Sequence, residues 1–230
     1  MMKRSPQLPR NLRLATLACA ALPFLLASTL AFPNVRAPTQ FPRTVGEAMS
    51  LYEGDVELED WAKGPVQLIM LGEEKDIWED LESDEQRRSF VEWFWARRDN
   101  DPRDPANPVM MAFYTRVGEA NGRFTGIPRG WKTDRGRVWT VLGKPDRART
   151  NTEDENENWN YWAPGLEPIL GHNAEAGELN IYFARRDLRT YRIAGGVAPG
   201  VWPPYVLRVL EFVNQAMIAS PDLEFRPGSD

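Results

Sequence analysis

Apolar side chains one helical turn apart mark the clearest helix of the chain: Phe90, Val91, Phe94 and Trp95, extended by Trp78 and Leu81 from the preceding turn. Ser83 and Gln86 precede this stripe with the spacing of a capping box. In that arrangement each side chain satisfies a free backbone N–H at the start of a helix. The pattern therefore predicts a helix that begins after Ser83.

Two further segments repeat the helical spacing. Asn107 followed by Pro108 predicts a helix start, because Asn caps free N–H groups and proline suits the first helical position. The apolar positions of this helix are Val109 or Met110, Phe113, Val117 and Ala120, and residues 121–122 (NG) predict its end. A last helix is predicted over residues 204–219, with an apolar face formed by Val206, Leu210, Val213 and Met217.

The period changes after the second helix, and the new pattern predicts strands. Residues 137–142 (RVWTVL) are rich in β-forming side chains and predict the first strand. Residues 159–162 predict a second, the alternation of Leu179, Ile181 and Phe183 a third, and Tyr191 with Ile193 a fourth after a hairpin tip at 185–187. Helices followed by neighbouring strands predict an α+β fold, with N-terminal helices on a small antiparallel sheet and a C-terminal amphipathic helix.

The first 31 residues predict a secretory signal rather than part of the fold. Their basic head precedes an apolar run from Leu14 to Ala31, which contains Cys19, and small residues at its end suit cleavage after Ala31. The alternative is an uncleaved anchor as the only membrane contact, because about eighteen residues just reach spanning length. The basic head consists of Lys3, Arg4, Arg10 and Arg13.

Changes in composition predict three further parts of the chain. Residues 32–64 contain several prolines and are interpreted as a linker and lead-in segment. Residues 65–200 form the predicted α+β domain, and residues 201–230 its C-terminal helix and tail. Within the domain, residues 151–158 (NTEDENEN) predict a polar, mobile loop.

The composition also excludes several kinds of chemistry. One His and one Cys cannot build a zinc cluster, a disulfide framework or a Cys–His nucleophile pair. Removal of residues 1–31 leaves 24 basic and 33 acidic side chains, a net charge of −9, and no Cys. This suits an oxidising compartment and argues against a nucleic-acid partner. We therefore expect an exported protein, periplasmic or in the cell envelope, with no metal and no cofactor.

One segment carries a family signature. Residues 130–138 (GWKTDRGRV) resemble the signature of the GWxTD-domain family of exported bacterial proteins. Upstream, residues 90–99 (FVEWFWARRD) are similar to the aromatic helix of that family, which ends in Arg-Arg-Asp. Between these two segments, residues 113–117 and 120–124 resemble its middle helix.

The resemblance continues downstream of the signature. Residues 143–146 (GKPD) are similar to a Gly-Pro-Pro-Asp turn of the family, in which Lys144 replaces the usual proline. Trp159 and Tyr161 take the places of its Trp-x-Tyr strand. The resemblance covers about residues 65–193 and implies the α+β fold and export. It implies no reaction.

Within the signature, Trp131, Asp134 and Arg135 are the candidate ligand-binding residues. One interpretation is a surface loop that offers an aromatic plate, a carboxylate and a guanidinium to a ligand. The other is structural: a turn in which Asp134 accepts backbone N–H groups, Gly136 adopts a positive φ and Trp131 packs on the sheet. The structural interpretation is favoured, because Asp-x-Gly before a strand is common turn chemistry.

Three more features suggest sites, but a structural role accounts for each of them more simply. Nine tryptophans suggest sugar stacking, yet most fit the core of a domain without disulfides, with Trp61, Trp93 and Trp202 left unplaced. Asp99, Asp101 and Asp104 resemble a calcium loop, but such a loop needs a ligand in place of Arg103 and a glycine in place of Asp104, so they predict a solvated turn, with weak calcium binding as the alternative. His172 lies in a predicted loop without a catalytic pattern around it.

The sequence predicts no catalytic residue. It has no glycine-rich phosphate loop, nucleophile elbow or metal-spaced His pair. We therefore expect a non-enzymatic binding or assembly module whose partner is an envelope protein or a glycan. The alternative is a hydrolase of envelope glycans that depends on two carboxylates facing each other in a cleft.

Overall fold

The computed structural model of the 230-residue chain describes Glu47 and residues 57–227, with gaps at 102, 104–106, 125–128, 165, 167–168, 170–173, 176, 189 and 196–200. Its α-helices are α1 (Gly72–Glu79), α2 (Asp84–Ala96), α3 (Pro108–Arg123), α4 (Asp134–Leu142) and α5 (Pro204–Ala216). Its strands are β1 (Arg147–Thr150), β2 (Glu157–Trp162), β3 (Ala174–Glu175), β4 (Glu178–Arg185) and β5 (Tyr191–Ile193). Short 3-10 helices cover Leu58–Lys63, Pro65–Leu68 and Gly130–Lys132.

Several predictions concern residues outside the described ranges. They include the signal segment at 1–31 with Cys19, most of the linker before residue 57, Asp104 and His172. Among the residues that are described, no helix has the length and apolarity needed to cross a membrane.

The predicted α+β class is confirmed, and the sheet is antiparallel. Its order is β1-β2-β4-β3, and β5 pairs with β4 as well. The strand predictions at 159–162, at Leu179 to Phe183 and at Tyr191 to Ile193 are confirmed by β2, β4 and β5. The β4–β5 hairpin pairs Arg185 with Tyr191, close to the predicted tip. Asn158 already lies in β2, so the predicted loop at 151–158 is shorter than expected.

The strand prediction for residues 137–142 is wrong, because these residues form most of helix α4. The Thr133 hydroxyl accepts the Gly136 N–H and caps the helix, and Gly143 ends it at a φ of 81°. Residues 138–141 are all buried, so neither a helical nor a strand period shows in the sequence. The first strand is instead β1, whose four residues (RART) are all exposed and carry no apolar signal.

The capped starts of two helices are confirmed. Ser83 accepts the Gln86 N–H at the start of α2, and the Gln86 side chain accepts the Ser83 N–H in return. Asn107 Oδ1 accepts two backbone N–H groups at the start of α3, directly before Pro108. The predicted end at 121–122 is early, since α3 continues to Arg123. Asn121 instead accepts the backbone N–H of Trp131 at 3.2 Å.

A chain of aromatic contacts joins the sheet to the helices. Phe183 on β4 packs against Trp159 on β2 with ring centroids 4.7 Å apart, and Trp159 contacts both Trp139 on α4 and Phe124. This confirms the core interpretation for most tryptophans. The fully buried ring of Trp61, which the sequence left unplaced, packs edge-on against a phenylalanine of α2. The core therefore lies between the helices and one face of the sheet.

The C-terminal helix α5 contacts the sheet at β4. It ends at Ala216, three residues before the predicted position, with Val206 and Val209 buried. Tyr205 Oη donates a hydrogen bond to the carbonyl of Asn180 at 3.0 Å. The helix thus binds β4 three residues before the segment of β4 that pairs with β5, which begins at Phe183. The tail then crosses α2, where Phe225 packs on Phe90 and Trp93.

Candidate functional site

The most deeply buried charges of the described chain join α1 to α2. Glu74 on α1 and Arg98 just after α2 are both fully buried. The Arg98 guanidinium donates to both Glu74 carboxylate oxygens, at 2.8 and 2.7 Å, and to the carbonyls of Phe94 and Ile69. Arg97 adds a bond of 3.1 Å to the same carboxylate. The carboxylate is thus saturated and has a structural role.

Sequence reasoning missed this cluster as a unit. In the sequence, Arg97 and Arg98 are noticeable only because they belong to the segment that resembles the family. No pattern around Glu74 predicts that its side chain is buried or paired. Burial lowers the pKa of Arg98 from its ordinary value, while Glu74 favours the charged form. A guanidinium remains protonated even then. Because the pair lies 24 residues apart in the chain, only the fold reveals it.

The signature contains two glycines, at its first and seventh positions, that allow backbones to approach closely. A Cβ on Gly130 would lie 2.1 Å from the carbonyl oxygen of Ala120 on α3. A Cβ on Gly136 would lie 2.0 Å from the carbonyl oxygen of Gly130. Both contacts are far inside van der Waals distance, so only glycine fits at either position. No positive φ is involved at Gly136, unlike the turn that the sequence predicted.

Trp131 and Thr133 secure the same junction. The Trp131 side chain is 2% exposed and fills the core beside α3, so it is no aromatic plate on the surface. Thr133 Oγ1 donates to the carbonyl of Gly130 at 2.7 Å while it accepts the Gly136 N–H that starts α4. The signature is therefore a tight connection between two helices.

Asp134 is the buried acid of the signature, and its partners lie far away in the chain. Its carboxylate accepts the backbone N–H of Ile193 at 3.0 Å and lies 3.4 Å from the Arg192 guanidinium. The expected backbone N–H contact thus exists, but it comes from β5 and not from a turn before a strand. Asp134 satisfies an N–H on the outer edge of β5, which would otherwise lack a partner.

Arg135 completes the junction on the sheet side. It donates to Glu157 at the start of β2 at 2.7 Å, and its guanidinium lies 3.7 Å from the ring centroid of Tyr191. The interpretation of Trp131, Asp134 and Arg135 as an exposed loop is therefore wrong in geometry. Ligand binding by these residues stays a prediction, and every one of them already has an internal contact.

The face of the sheet opposite the core has a different character. Side chains of paired residues project to the same face, and they alternate along each strand. The register places the residues of this face in three rows across the strands. The rows are Arg149, Asn158 and Tyr182; Arg147, Asn160 and Asn180; and Trp162 and Glu178. We call these eight residues the outer sheet face.

Two large aromatic side chains of the outer sheet face are open to solvent. Trp162 is 62% exposed and Tyr182 is 51% exposed, whereas the apolar inner-face residues of the same strands are buried. Asn160 donates to Glu178 at 2.7 Å and to Asn180 at 3.1 Å, which orients the amides between the two rings. Sequence reasoning missed Tyr182 and treated Trp162 only as a strand residue.

Arg147 and Arg149 add positive charge to this face. Both side chains are exposed on β1. Within the described ranges, neither guanidinium has a carboxylate at ion-pair distance. The outer sheet face therefore combines aromatic rings, amides, two guanidinium groups and the carboxylate of Glu178.

Other candidate sites carry less chemistry. Where side chains are described, no group of three or more acidic, His or Cys side chains could hold a metal ion. The Asp101 carboxylate accepts a hydrogen bond from Arg103 Nε at 2.9 Å, and the Asp99 carboxylate accepts the Asp101 N–H. Both contacts are typical of a solvated turn. A cavity of about 720 Å³ opens between α2 and the tail, lined by Trp93 and Phe225 among others. It is an open groove.

Comparison with known proteins supports the resemblance. The family model described as GWxTD domain matches residues 61–186, which is more than half of the chain. The match includes all residues of the signature and all eight residues of the outer sheet face. No curated protein and no solved structure matches the chain.

Proposed function

Because the chain belongs to the GWxTD-domain family, we propose that it is an exported protein of the cell envelope, and that it acts as a non-enzymatic binding or assembly module. The basic head and apolar run of residues 1–31 support the export part of the proposal. The binding part is supported by how the side chains are used in the folded domain.

One observation carries the binding proposal: the exposed rings of Trp162 and Tyr182 share one face of the sheet. Exposed aromatic side chains with hydrogen-bonding neighbours are typical of contact surfaces, since a ring buries much area and loses little conformational entropy. The signature residues, in contrast, are already engaged inside the fold. The outer sheet face is therefore the proposed contact surface.

The arrangement of the buried and half-buried carboxylates argues for binding rather than hydrolysis. A glycan hydrolase needs two carboxyl groups that face each other across the scissile bond. Glu74 instead binds two arginines where α1 meets α2, whereas Asp134 and Glu157 each bind an arginine between α4 and the sheet. Such paired carboxylates stabilise packing and are not free to act on a substrate.

The test is capture of envelope components by the immobilised protein. We expect the wild-type chain to retain a defined component that a Trp162→Ala/Tyr182→Ala double variant no longer retains. A Leu188→Ala variant is the matched control, because Leu188 is 86% exposed but lies at the tip of the β4–β5 hairpin. Equal capture by all three proteins would contradict the proposal. Release of soluble sugars from envelope glycan would favour the hydrolase.

A further inference from the structure

Strand β1 is an open edge of the sheet. It is the terminal strand in the order β1-β2-β4-β3, and all four of its residues are exposed. An edge strand presents unpaired backbone N–H and C=O groups, which form a template for another strand. The open edge adjoins the outer sheet face, because Arg147 and Arg149 belong to both.

The hairpin geometry shows which groups of β1 are free to pair. The Asn151 N–H donates to the carbonyl of Asn156 at 2.8 Å, so this pair is hydrogen-bonded. Hydrogen-bonded and non-bonded pairs alternate along an antiparallel ladder. Arg149 and Arg147 therefore direct their backbone groups to β2, whereas Ala148 and Thr150 direct theirs outward.

The side chains of β1 define the chemistry of a strand that could pair there. Arg147 and Arg149 project to the same face about 7 Å apart, the repeat of an extended chain over two residues. An added strand with acidic side chains at alternate positions would place carboxylates beside both guanidinium groups. Its remaining side chains would lie near the small side chains of Ala148 and Thr150.

Resting on the proposed function, we infer that the partner contributes an extended acidic segment, which adds to β1 as a further strand of the sheet. A second copy of this chain is a poor occupant. Antiparallel pairing of two β1 strands would place arginine opposite arginine, and like charges directly opposite each other are destabilising. Charge complementarity therefore selects an acidic strand.

Arg147 and Arg149 could have two other roles, and the experiment below distinguishes both of them from strand addition. Charged side chains on an edge strand can simply prevent pairing with other chains. Alternatively, an anionic polysaccharide could lie across the outer sheet face and use the guanidinium groups without any backbone pairing. Only strand addition requires both the alternation of acidic side chains and the outward N–H of Ala148.

The experiment measures binding of a short fluorescent peptide that alternates glutamate and valine to the purified full-length protein. Control peptides alternate lysine and valine, or carry the same glutamates and valines in two blocks. We expect the alternating acidic peptide alone to bind, and salt to weaken its binding. An Arg147→Glu/Arg149→Glu variant should bind it at least about tenfold more weakly, because two charge-assisted contacts become repulsive.

Two variants distinguish strand addition from these two roles. Ala148→Pro removes an outward donor without removing a bond to β2, and it should abolish peptide binding. Arg88→Glu, an exposed charge reversal on α2, should bind like the wild type. Thermal melts of each variant check that the fold is intact. Polygalacturonate serves as the anionic polysaccharide in a parallel titration.

Three results would overturn the inference. They are failure of the alternating acidic peptide to bind, equal binding of the block peptide, and peptide binding that survives Ala148→Pro. If polygalacturonate binds instead, and Ala148→Pro does not affect it, the partner is an anionic glycan. The proposed function would then stand, because capture of an envelope component through Trp162 and Tyr182 is measured separately.

Discussion

Replacement of Gly130 by alanine tests whether the signature is a packing device. The added Cβ would lie 2.1 Å from the Ala120 carbonyl oxygen and 2.8 Å from the Cα of Asn121. A carbon and an oxygen normally approach to about 3.3 Å, so the two segments must separate by about 1 Å. Both obstructing atoms belong to the backbone of α3. No change of rotamer can therefore relieve the contact.

The expected cost is large for the loss of one glycine. Overpacking a close-packed interior costs about 1–3 kcal/mol and occasionally more. Because a backbone-to-backbone junction must open here, we expect a cost near the upper end, about 3 kcal/mol. In a domain of this size each kcal/mol lowers the melting temperature by about 2–4 °C, so the expected decrease is about 6–12 °C.

Urea denaturation and thermal melts of Gly130→Ala and Gly122→Ala provide the assay. Gly122 is the matched control, because it lies in α3 and an added Cβ would meet no atom within 4 Å. Alanine at that helical position should stabilise the protein by about 0.5–1 kcal/mol. The packing argument is refuted if Gly130→Ala melts at the wild-type temperature, or if both variants lose the same stability.

Three further predictions concern buried polar groups. Glu74→Gln should cost about 3–5 kcal/mol in urea denaturation, because it leaves the buried Arg98 charge unpaired. Glu73→Gln should change stability by less than about 1 kcal/mol, because the Glu73 carboxylate is exposed to solvent. Asp134→Ala should cost about 1–3 kcal/mol, and Asp134→Asn should recover much of this loss in a thermal melt because its amide oxygen accepts the same N–H. Burial raises the pKa of Tyr161 above its ordinary value of 10.0, so ionisation favours the unfolded chain, and stability should fall as the pH rises above about 10. Tyr161→Phe should show a smaller fall in the same pH series, and an equal fall would contradict this.

Local features of the fold could be predicted where a short stretch of sequence determines them. The capping box of Ser83 with Gln86 needs only residues three positions apart. The alternation of Leu179, Ile181 and Phe183 reports one buried and one exposed face of β4. In both cases the pattern itself lies within a short window that the sequence displays directly.

The failures of prediction share one physical cause, which is dependence on distant parts of the chain. Helix α4 is buried on several sides, so its side chains show no amphipathic period. The sequence assigns Asp134 to a local turn, but its partner is Ile193, 59 residues away. Trp61 lies in a short 3-10 helix outside the main helical pattern, and it is buried because α2 packs against it.

The outer sheet face illustrates the same dependence for function. Its candidate side chains come from three strands, and only the register brings Arg149 and Tyr182 into one row through Asn158. Residues 147–150 (RART) have the composition of a loop when read alone. A contact surface built from single residues of several strands produces no contiguous sequence motif. A tight connection between two helices does produce one, because its residues are consecutive in the chain.

The signature of the family therefore indicates how the domain is folded and not what it binds. Gly130, Trp131 and Asp134 are buried, and Thr133 caps α4 through its hydroxyl. In this chain the five positions of the GWxTD motif are residues 130–134, and Lys132 takes the position that the motif leaves undefined. Lys132 is exposed, whereas the other four residues are buried or half-buried. A motif whose defined positions are all engaged in joining α3, α4 and β5 constrains the fold. Under the proposed function, specificity for a partner arises elsewhere, and the exposed rings and guanidinium groups of the outer sheet face supply the chemistry for it.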